Sequence, residues 1–513
     1  MNDRSSKSIK NISITMIEQI LYNICSFICR TVFIYTLGKE YLGFNGLFSD
    51  ILSLLSLAEL GIGTAILYSM YKPTAENNFK KISALLQYYK KLYLKIGCVI
   101  FALGICLIPF LKFFISGISY TKELIVIYIL YLTNTASSYF YIYKKSILIT
   151  QQKNYIASLI YTITIVTQNI LQIIALIIFK NYIIYLIIQI LCTLINNISI
   201  SKYVDKKFPL LKEYKNEKLD DETKRVLKNN IMSMFANKIS SVVVTSTDNI
   251  LISKFVSTIT LGLYSNYTIF VSMLRNIVTK LFEAISGSIG NLAATEGEHK
   301  TYSTYKNIWF GNYWLISFCI VMLFSFINPF ITLWIGKGYV LAMDVVFMIC
   351  LNLFLRLIRN PSIFFCDSFG LFPELKKKSI VEALSNIVFS LAFLELFNLG
   401  IFGVLLGTFA SNLITNFWYE PYILYTKKFK KRLYLYYKMF FSKIGITFII
   451  GLVIYHLINN VFIIKNWLLF FTEIGIFAII FNVYFYIIYR KTEEFNYYKN
   501  IIIKAKRVRK WIY

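Results

Sequence analysis

Two histidines, no Cys-x-x-Cys pair and only 26 acidic side chains in 513 residues leave little material for a catalytic or metal-binding set. His299 and His456 are isolated, so no Ser-His-Asp arrangement and no His-Glu-x-x-His zinc helix is legible. The eight cysteines (25, 29, 98, 106, 192, 319, 350 and 366) all lie inside apolar runs. Cys25 and Cys29 fall one helical turn apart, but no His or acidic residue completes a ligand set, and they are read as small buried apolar side chains. Neither a cofactor nor an enzymatic activity is expected. Long polar loops are also missing, apart from the mixed-charge stretch 205–228, which contains no phosphate-binding glycine loop.

Apolar surface is what the chain has in abundance. Hydrophobic residues make up 57%, aromatics 17%, and the mean hydropathy is +0.60, too apolar for a set of soluble domains. The net charge of +28 would point to nucleic acid in a soluble protein. Here the basic residues cluster between apolar runs of membrane-spanning length, so they report topology and no nucleic-acid partner is expected.

About 20 mostly apolar residues cross a bilayer as a helix. That rule yields fourteen spans: 12–35, 42–70, 92–115, 124–149, 155–179, 182–203, 231–255, 261–289, 308–335, 340–365, 380–397, 401–425, 440–458 and 467–489. The basic start followed by 12–35 is like a signal peptide, but the run is long, contains Glu18, Gln19 and Arg30, and lacks a small-residue cleavage site. With the N-terminus inside, 41 of the 54 Lys and Arg fall on the cytoplasmic side and seven on the other, which places both termini in the cytoplasm.

A shift of about 219 residues superimposes the two halves: Leu42-Gly43-Phe44 meets Leu261-Gly262-Leu263, and Tyr203 meets Tyr422. Six spans per repeat keep both halves in one orientation, and transporters built from such repeats bind substrate between them. The expected organisation is an N-terminal six-helix bundle (1–208), a cytoplasmic linker (209–228), a C-terminal six-helix bundle (229–430) and two further helices with a basic tail (431–513). The tail, rich in Lys and Arg from Lys504 to Lys510, is expected to lie on anionic lipid headgroups.

Six basic residues remain inside spans: Arg30, Lys238, Arg275, Lys280, Arg356 and Arg359. Exposed to lipid at mid-depth they would together cost about 15 to 21 kcal/mol, so they must face something wetter. Arg275 and Arg356 lie deepest, whereas Lys280 and Arg359 are also placed to reach the inner headgroups. The residues 219 positions before Arg275, Lys280 and Arg356 are Ser56, Gly61 and Ser137. Positive charge is thus a property of the second half, as an anion site would require. Glu59, Asp248, Glu283 and Asp367 are open both as salt-bridge partners and as proton or Na+ sites.

T-D-N-I-L-I-S-K at 247–254, L-G-L-Y-S-N-Y at 261–267, L-G-K-E-Y-L-G-F-N-G-L-F at 37–48 and S-I-G-N-L at 288–292 resemble the signature of Wzx-type polysaccharide flippases. These belong to the multidrug/oligosaccharidyl-lipid/polysaccharide exporter superfamily. The resemblance implies an all-α polytopic membrane protein of about fourteen transmembrane helices, with two six-helix bundles around a cavity that opens alternately to each side of the bacterial cytoplasmic membrane. It implies an undecaprenyl-pyrophosphate-linked oligosaccharide as substrate, with the polysaccharide polymerase machinery as a further partner. Arg275, Arg356, Lys280, Arg359 and Lys238 are then expected at the pyrophosphate, and Asp248 and Glu59 in coupling to H+ or Na+, or in gating. A lipid II flippase of the same fold stays open. A cation-coupled multidrug exporter fits the basic second half less well, and a membrane-embedded glycan polymerase lacks the sizeable external loops it would need.

Overall fold

The computed structural model describes residues 21–59, 62–117, 121–151, 153–214, 216–460 and 464–509. Among these there is no β-strand, as expected where every backbone group must be hydrogen-bonded within its own segment. The chain begins with α1 (Leu21–Leu37), α2 (Lys39–Leu55), α3 (Ile62–Ala75), α4 (Phe79–Leu107), α5 (Leu111–Phe114), α6 (Lys122–Ser138) and α7 (Lys145–Thr150). Then follow α8 (Asn154–Phe179), α9 (Tyr182–Lys207), α10 (Leu210–Glu213), α11 (Asp221–Leu251), α12 (Thr258–Thr295), α13 (Glu298–Ile335) and α14 (Met343–Ile358). The last seven are α15 (Asn360–Ser368), α16 (Phe372–Glu395), α17 (Gly400–Ile414), α18 (Asn416–Ile423), α19 (Tyr434–Asn460), α20 (Trp467–Tyr489) and α21 (Glu493–Arg509).

Among the described residues eight helical segments are long and apolar enough to cross a membrane by themselves: those beginning at Phe79, Lys122, Asn154, Tyr182, Glu298, Gly400, Tyr434 and Trp467. Among the described residues the other expected spans also fall on helices, most of them interrupted or charged; residues 12–20 of the first span lie outside the described residues. Span 42–70 is split by a 3₁₀ turn at Ser56–Glu59, 340–365 is divided between α14 and α15, and 261–289 is the part of α12 that carries Arg275, Lys280 and Glu283. Four cysteines, Cys29, Cys192, Cys350 and Cys366, are buried, whereas Cys98 and Cys106 are exposed on apolar α4.

The repeat is written in the backbone. Gly117 and Gly336, 219 positions apart, both have positive φ (78° and 98°). Lys180 (φ 48°) and Asn398 (φ 51°) turn the chain after the fifth helix of each half. The fourth span breaks at the corresponding place in each half, between α6 and α7 and between α14 and α15.

The chain forms two compact units, Met1–Gly262 and Leu263–Tyr513. This division differs from the one expected at the 209–228 linker. The reason is packing: α11, the first helix of the second repeat, lies against α2 and α3.

In the first unit α9 packs on α6 and α8. Tyr131 and Tyr182 share a 2.6 Å hydroxyl contact there, and Phe33 and Phe48 meet Tyr182 and Tyr128 edge-on at 5.1 and 5.3 Å. Ile163, Ile170, Ile174 and Ile177 of α8 are exposed, a large apolar surface that water would not tolerate and a bilayer does.

In the second unit α13 is central, touching α14, α19 and α20. Its Tyr313 hydroxyl lies 2.9 Å from Thr447 Oγ1 and 3.2 Å from the Tyr489 hydroxyl, so a buried phenol is satisfied across three helices. The close contact of α16 with α17 depends on small residues. A Cβ added at Gly407 would sit 2.5 Å from the Ser390 backbone nitrogen, and one at Gly403, one turn earlier, 3.1 Å from the Phe393 carbonyl oxygen.

Candidate functional site

The break that ends α14 and starts α15 positions the cationic residues of the second unit. Pro361 occupies the start of α15, where its missing N–H costs nothing, but the Leu357 carbonyl four residues earlier lacks the helical donor that another residue would supply. Asn312 of α13 supplies one: its amide donates to the Leu357 carbonyl at 3.1 Å. Arg359 sits at this junction, and Arg356 lies in the last turn of α14.

Arg359 is buried and committed. Its Nε and Nη2 donate to the two carboxylate oxygens of Glu420 at 2.8 and 2.6 Å, a bidentate pair. Lys378 Nζ reaches the same Glu420 at 2.6 Å and Glu382 at 4.0 Å, while Asn416 donates to both Glu382 and the Asn412 side chain. Two cations and two carboxylates therefore close on themselves, joining α15, α16 and α18. Such a cluster satisfies its own charge. It is not the headgroup-seeking arginine that the position near the end of the span allowed, nor an open anion site.

Arg356 differs. It is exposed, and the positive charges of Arg275 and Arg359 both act on it, with Glu382 opposing. Arg275, on α12, is partly buried, and its one printed contact is a weak 3.5 Å approach to Ser272 one turn earlier. Phe282 stacks on Phe364 at 5.2 Å, which fixes α12 beside α15. Among the described residues neither Arg275 nor Arg356 has a carboxylate within ion-pair distance. Two neighbouring guanidinium groups with no carboxylate in ion-pair distance among the described residues are an arrangement that a multivalent anion stabilises.

Lys280 pairs with Glu283 at 2.7 Å, and both side chains are more than half exposed (60% and 51%). Lys238 lies on α11, but its side chain is outside the described residues.

In the first unit Glu59 accepts from the Tyr93 hydroxyl at 3.3 Å. Asp248 is buried on α11, and its neighbour Asn249 donates to Asp50 of α2 at 2.7 Å. Arg30 is flanked by Tyr131, Tyr182 and Tyr185. Among the described residues no group of three or more His, Cys, Asp or Glu is placed to hold a metal ion.

Sequence reasoning missed Glu420, Lys378, Glu382 and Asp50. Glu420 carried a signal, an acidic residue inside an expected span. Asp50 carried the same one, eight residues into the second span.

Residues 8–286 match the family model described as polysaccharide biosynthesis protein. No curated protein sequence matches the chain. Among solved structures, the chain is similar to an inward-facing multidrug resistance MATE family transporter of the MOP superfamily. The TM-score is 0.64 at 14% identity, over 79% of this chain and 95% of that one. It is similar to the lipid II flippase MurJ in an inward closed conformation, with TM-score 0.62 and 17% identity over 93% and 99% of the two chains. A mutant of the Vibrio cholerae MATE transporter VcmN aligns with TM-score 0.59 and 14% identity, over 85% and 100%. At these identities the likeness is one of fold.

Proposed function

We propose, from the premise that the chain belongs to the polysaccharide biosynthesis protein family, a flippase family of the MOP superfamily, that it carries an undecaprenyl-pyrophosphate-linked oligosaccharide outward across the bacterial cytoplasmic membrane. Alternating access moves the repeat unit, which then enters surface polysaccharide synthesis.

The observation that supports this substrate is the pair Arg275 and Arg356: close enough to repel, without a carboxylate in ion-pair distance among the described residues, one of them exposed. Pyrophosphate between them replaces repulsion with attraction on both sides. Each planar guanidinium can bond two phosphate oxygens and stays charged in a poorly solvated cavity. Lys280, paired with Glu283 at 2.7 Å, lies about one and a half turns further along α12 and would reach the pyrophosphate only by leaving that partner, and Lys238 is the remaining cation of this reading. Arg359 acts through structure, by holding the α14–α15 junction that presents Arg356. The sugar needs only a wet, weakly selective lining.

An inside-negative potential favours outward movement of two negative charges by about 4.6 kcal/mol at 100 mV. Coupling to H+ or Na+ through Asp248 and Glu59 adds a second driving force. Both termini are cytoplasmic in this reading, the basic tail rests on anionic lipid, and the exported unit passes to the polymerase machinery. A lipid II-type substrate carries the same pyrophosphate and would use the same arginines.

The test is surface glycan in cells carrying Arg275→Ala or Arg356→Ala. Both are expected to abolish it at unchanged protein level, with Lys in either position rescuing in part. The lipid-linked intermediate that accumulates when the gene is removed identifies the substrate. If neither substitution lowers transport, or both act only by removing protein from the membrane, the pyrophosphate is bound elsewhere.

A further inference from the structure

Aromatic contacts fix the register of α20 against α13 within the second unit. Trp314 stacks on Phe485 at 5.3 Å, Phe318 meets Phe481 at 5.5 Å, and Phe326 meets both Phe470 and Phe477 at 5.8 and 6.1 Å. The two helices run antiparallel, so a step forward on one matches a step back on the other. Glu473, between Phe470 and Phe477 on the buried face of α20, is therefore level with Phe326. Ser325 shares that level, and it stands seven residues after Phe318, on the face of α13 turned to α20.

Glu473 is the one charged side chain in 467–489, and α13 has none from 307 to 335. It is 5% exposed, and its Oε2 has no hydrogen-bond partner among the described residues, none of whose Lys, Arg or His side chains pairs with it. Ser325 is 2% exposed, and its hydroxyl likewise has no partner among the described residues. Pro329 has no N–H to give to the Ser325 carbonyl four residues before it. One level of an aromatic contact thus holds a carboxyl, a hydroxyl and a carbonyl deprived of its helical donor.

We infer that Glu473 is a proton-binding site, and that the bound proton is what lets α20 lie against α13. A carboxylate among phenyl rings without a cation strands its charge, and taking up a proton removes it. The acid O–H then supplies the donor this level lacks, with the Ser325 oxygens as acceptors. Glu420 in the same unit shows the alternative, since Arg359 and Lys378 stand 2.6 Å from it and neutralise its charge. Glu473 is six residues along from Trp467, the first residue of α20, or about 9 Å of helix. In the orientation set by the basic residues that end faces outward. The proton therefore exchanges with the outer solution, and low external pH fastens α20. The other titratable groups in the outer halves of the neighbouring helices are Cys319 on α13 and Tyr455 and His456 on α19, with Lys465 ahead of α20. None of them is paired with Glu473.

The probe is N,N′-dicyclohexylcarbodiimide, which reacts with protonated carboxyls in apolar surroundings and leaves an adduct that peptide mass spectrometry locates. With the full chain in cells, Glu473 is expected to label at least about tenfold faster than Glu493, whose side chain is 90% exposed. Its labelling should fall at least about tenfold when external pH is raised from about 6 to about 9. Purified Glu473→Gln, neutral without a proton, is expected to match the parent's thermal midpoint at about pH 6 and to exceed it at about pH 9. Labelling no faster than at Glu493, or insensitive to external pH, overturns the inference. So does a Glu473→Gln variant that fails to reach the membrane or gains nothing at high pH, since a neutral side chain of the same shape should be accepted. Neither readout involves a substrate, so the result is independent of the flippase reading and of the arginine test.

Discussion

Replacing Glu420 by Gln keeps the shape of the side chain and removes one charge from the buried cluster of the second unit. Glu420 is 2% exposed, and its Oε1 lies 2.6 Å from both Arg359 Nη2 and Lys378 Nζ. After the substitution Lys378 keeps Glu382 at 4.0 Å, but Arg359 has no carboxylate within ion-pair distance among the described residues. The loss is therefore one buried ion pair broken on one side, about 3–5 kcal/mol, against a stability of about 5–15 kcal/mol for a typical domain. The assay is the fraction of detergent-purified protein that stays monodisperse after graded heating, together with the amount present in membranes. Glu420→Gln is expected to lower both sharply, and Arg359→Ala to do so less, because Lys378 still neutralises Glu420. Joint replacement by Glu420→Leu, Arg359→Met and Lys378→Met is expected to recover much of the loss, since no charge is then stranded. A parent-like melting profile for Glu420→Gln would refute the reasoning. Arg356→Ala provides the contrast, with normal heating behaviour and lost export.

Three further expectations concern topology, backbone and the linker. A single cysteine at Asn398, in a left-handed turn, should label from outside and one at Asp221 should not; external labelling at 221 would reverse the orientation. Gly336→Ala places a Cβ at φ 98° and ψ 164° and should cost about 1–3 kcal/mol, seen as a lower thermal midpoint, whereas Gly338→Ala, with open space around it, should be neutral. Asp220 caps α11 by accepting from the Thr223 hydroxyl and amide, both at 2.8 Å, and these bonds hold its carboxyl below the ordinary carboxylate range. A lowered folded-state value means that the cap's contribution is fully present above about pH 4, the ordinary carboxylate range, and is lost as pH falls from there through the lower folded-state value. Amide exchange at Thr223 should therefore show cap protection at neutral pH, and Asp220→Ala should abolish it.

The bilayer imposes a composition so restrictive that the sequence alone determined the class of this protein. Runs of apolar residues and a 219-residue self-similarity follow from local chemistry, and the described helices fall where that chemistry puts them, whereas the breaks in the fourth spans, read as continuous at 124–149 and 340–365, and the paired turns at Gly117 and Gly336 came only from the structure. The anomaly of charge inside apolar helices was also legible, because its cost is local. Its resolution was not. Whether an arginine faces a carboxylate depends on which helix faces meet, and Arg359 meets Glu420 across 61 residues of chain while Asn249 meets Asp50 across 199. Periodicity places a residue on its own helix and says nothing of the neighbour. For that reason only the tertiary structure separated Arg359, neutralised in its own cluster, from Arg275 and Arg356, and only it assigned α11 to the first unit, where packing against α2 and α3 outweighs its membership of the second repeat.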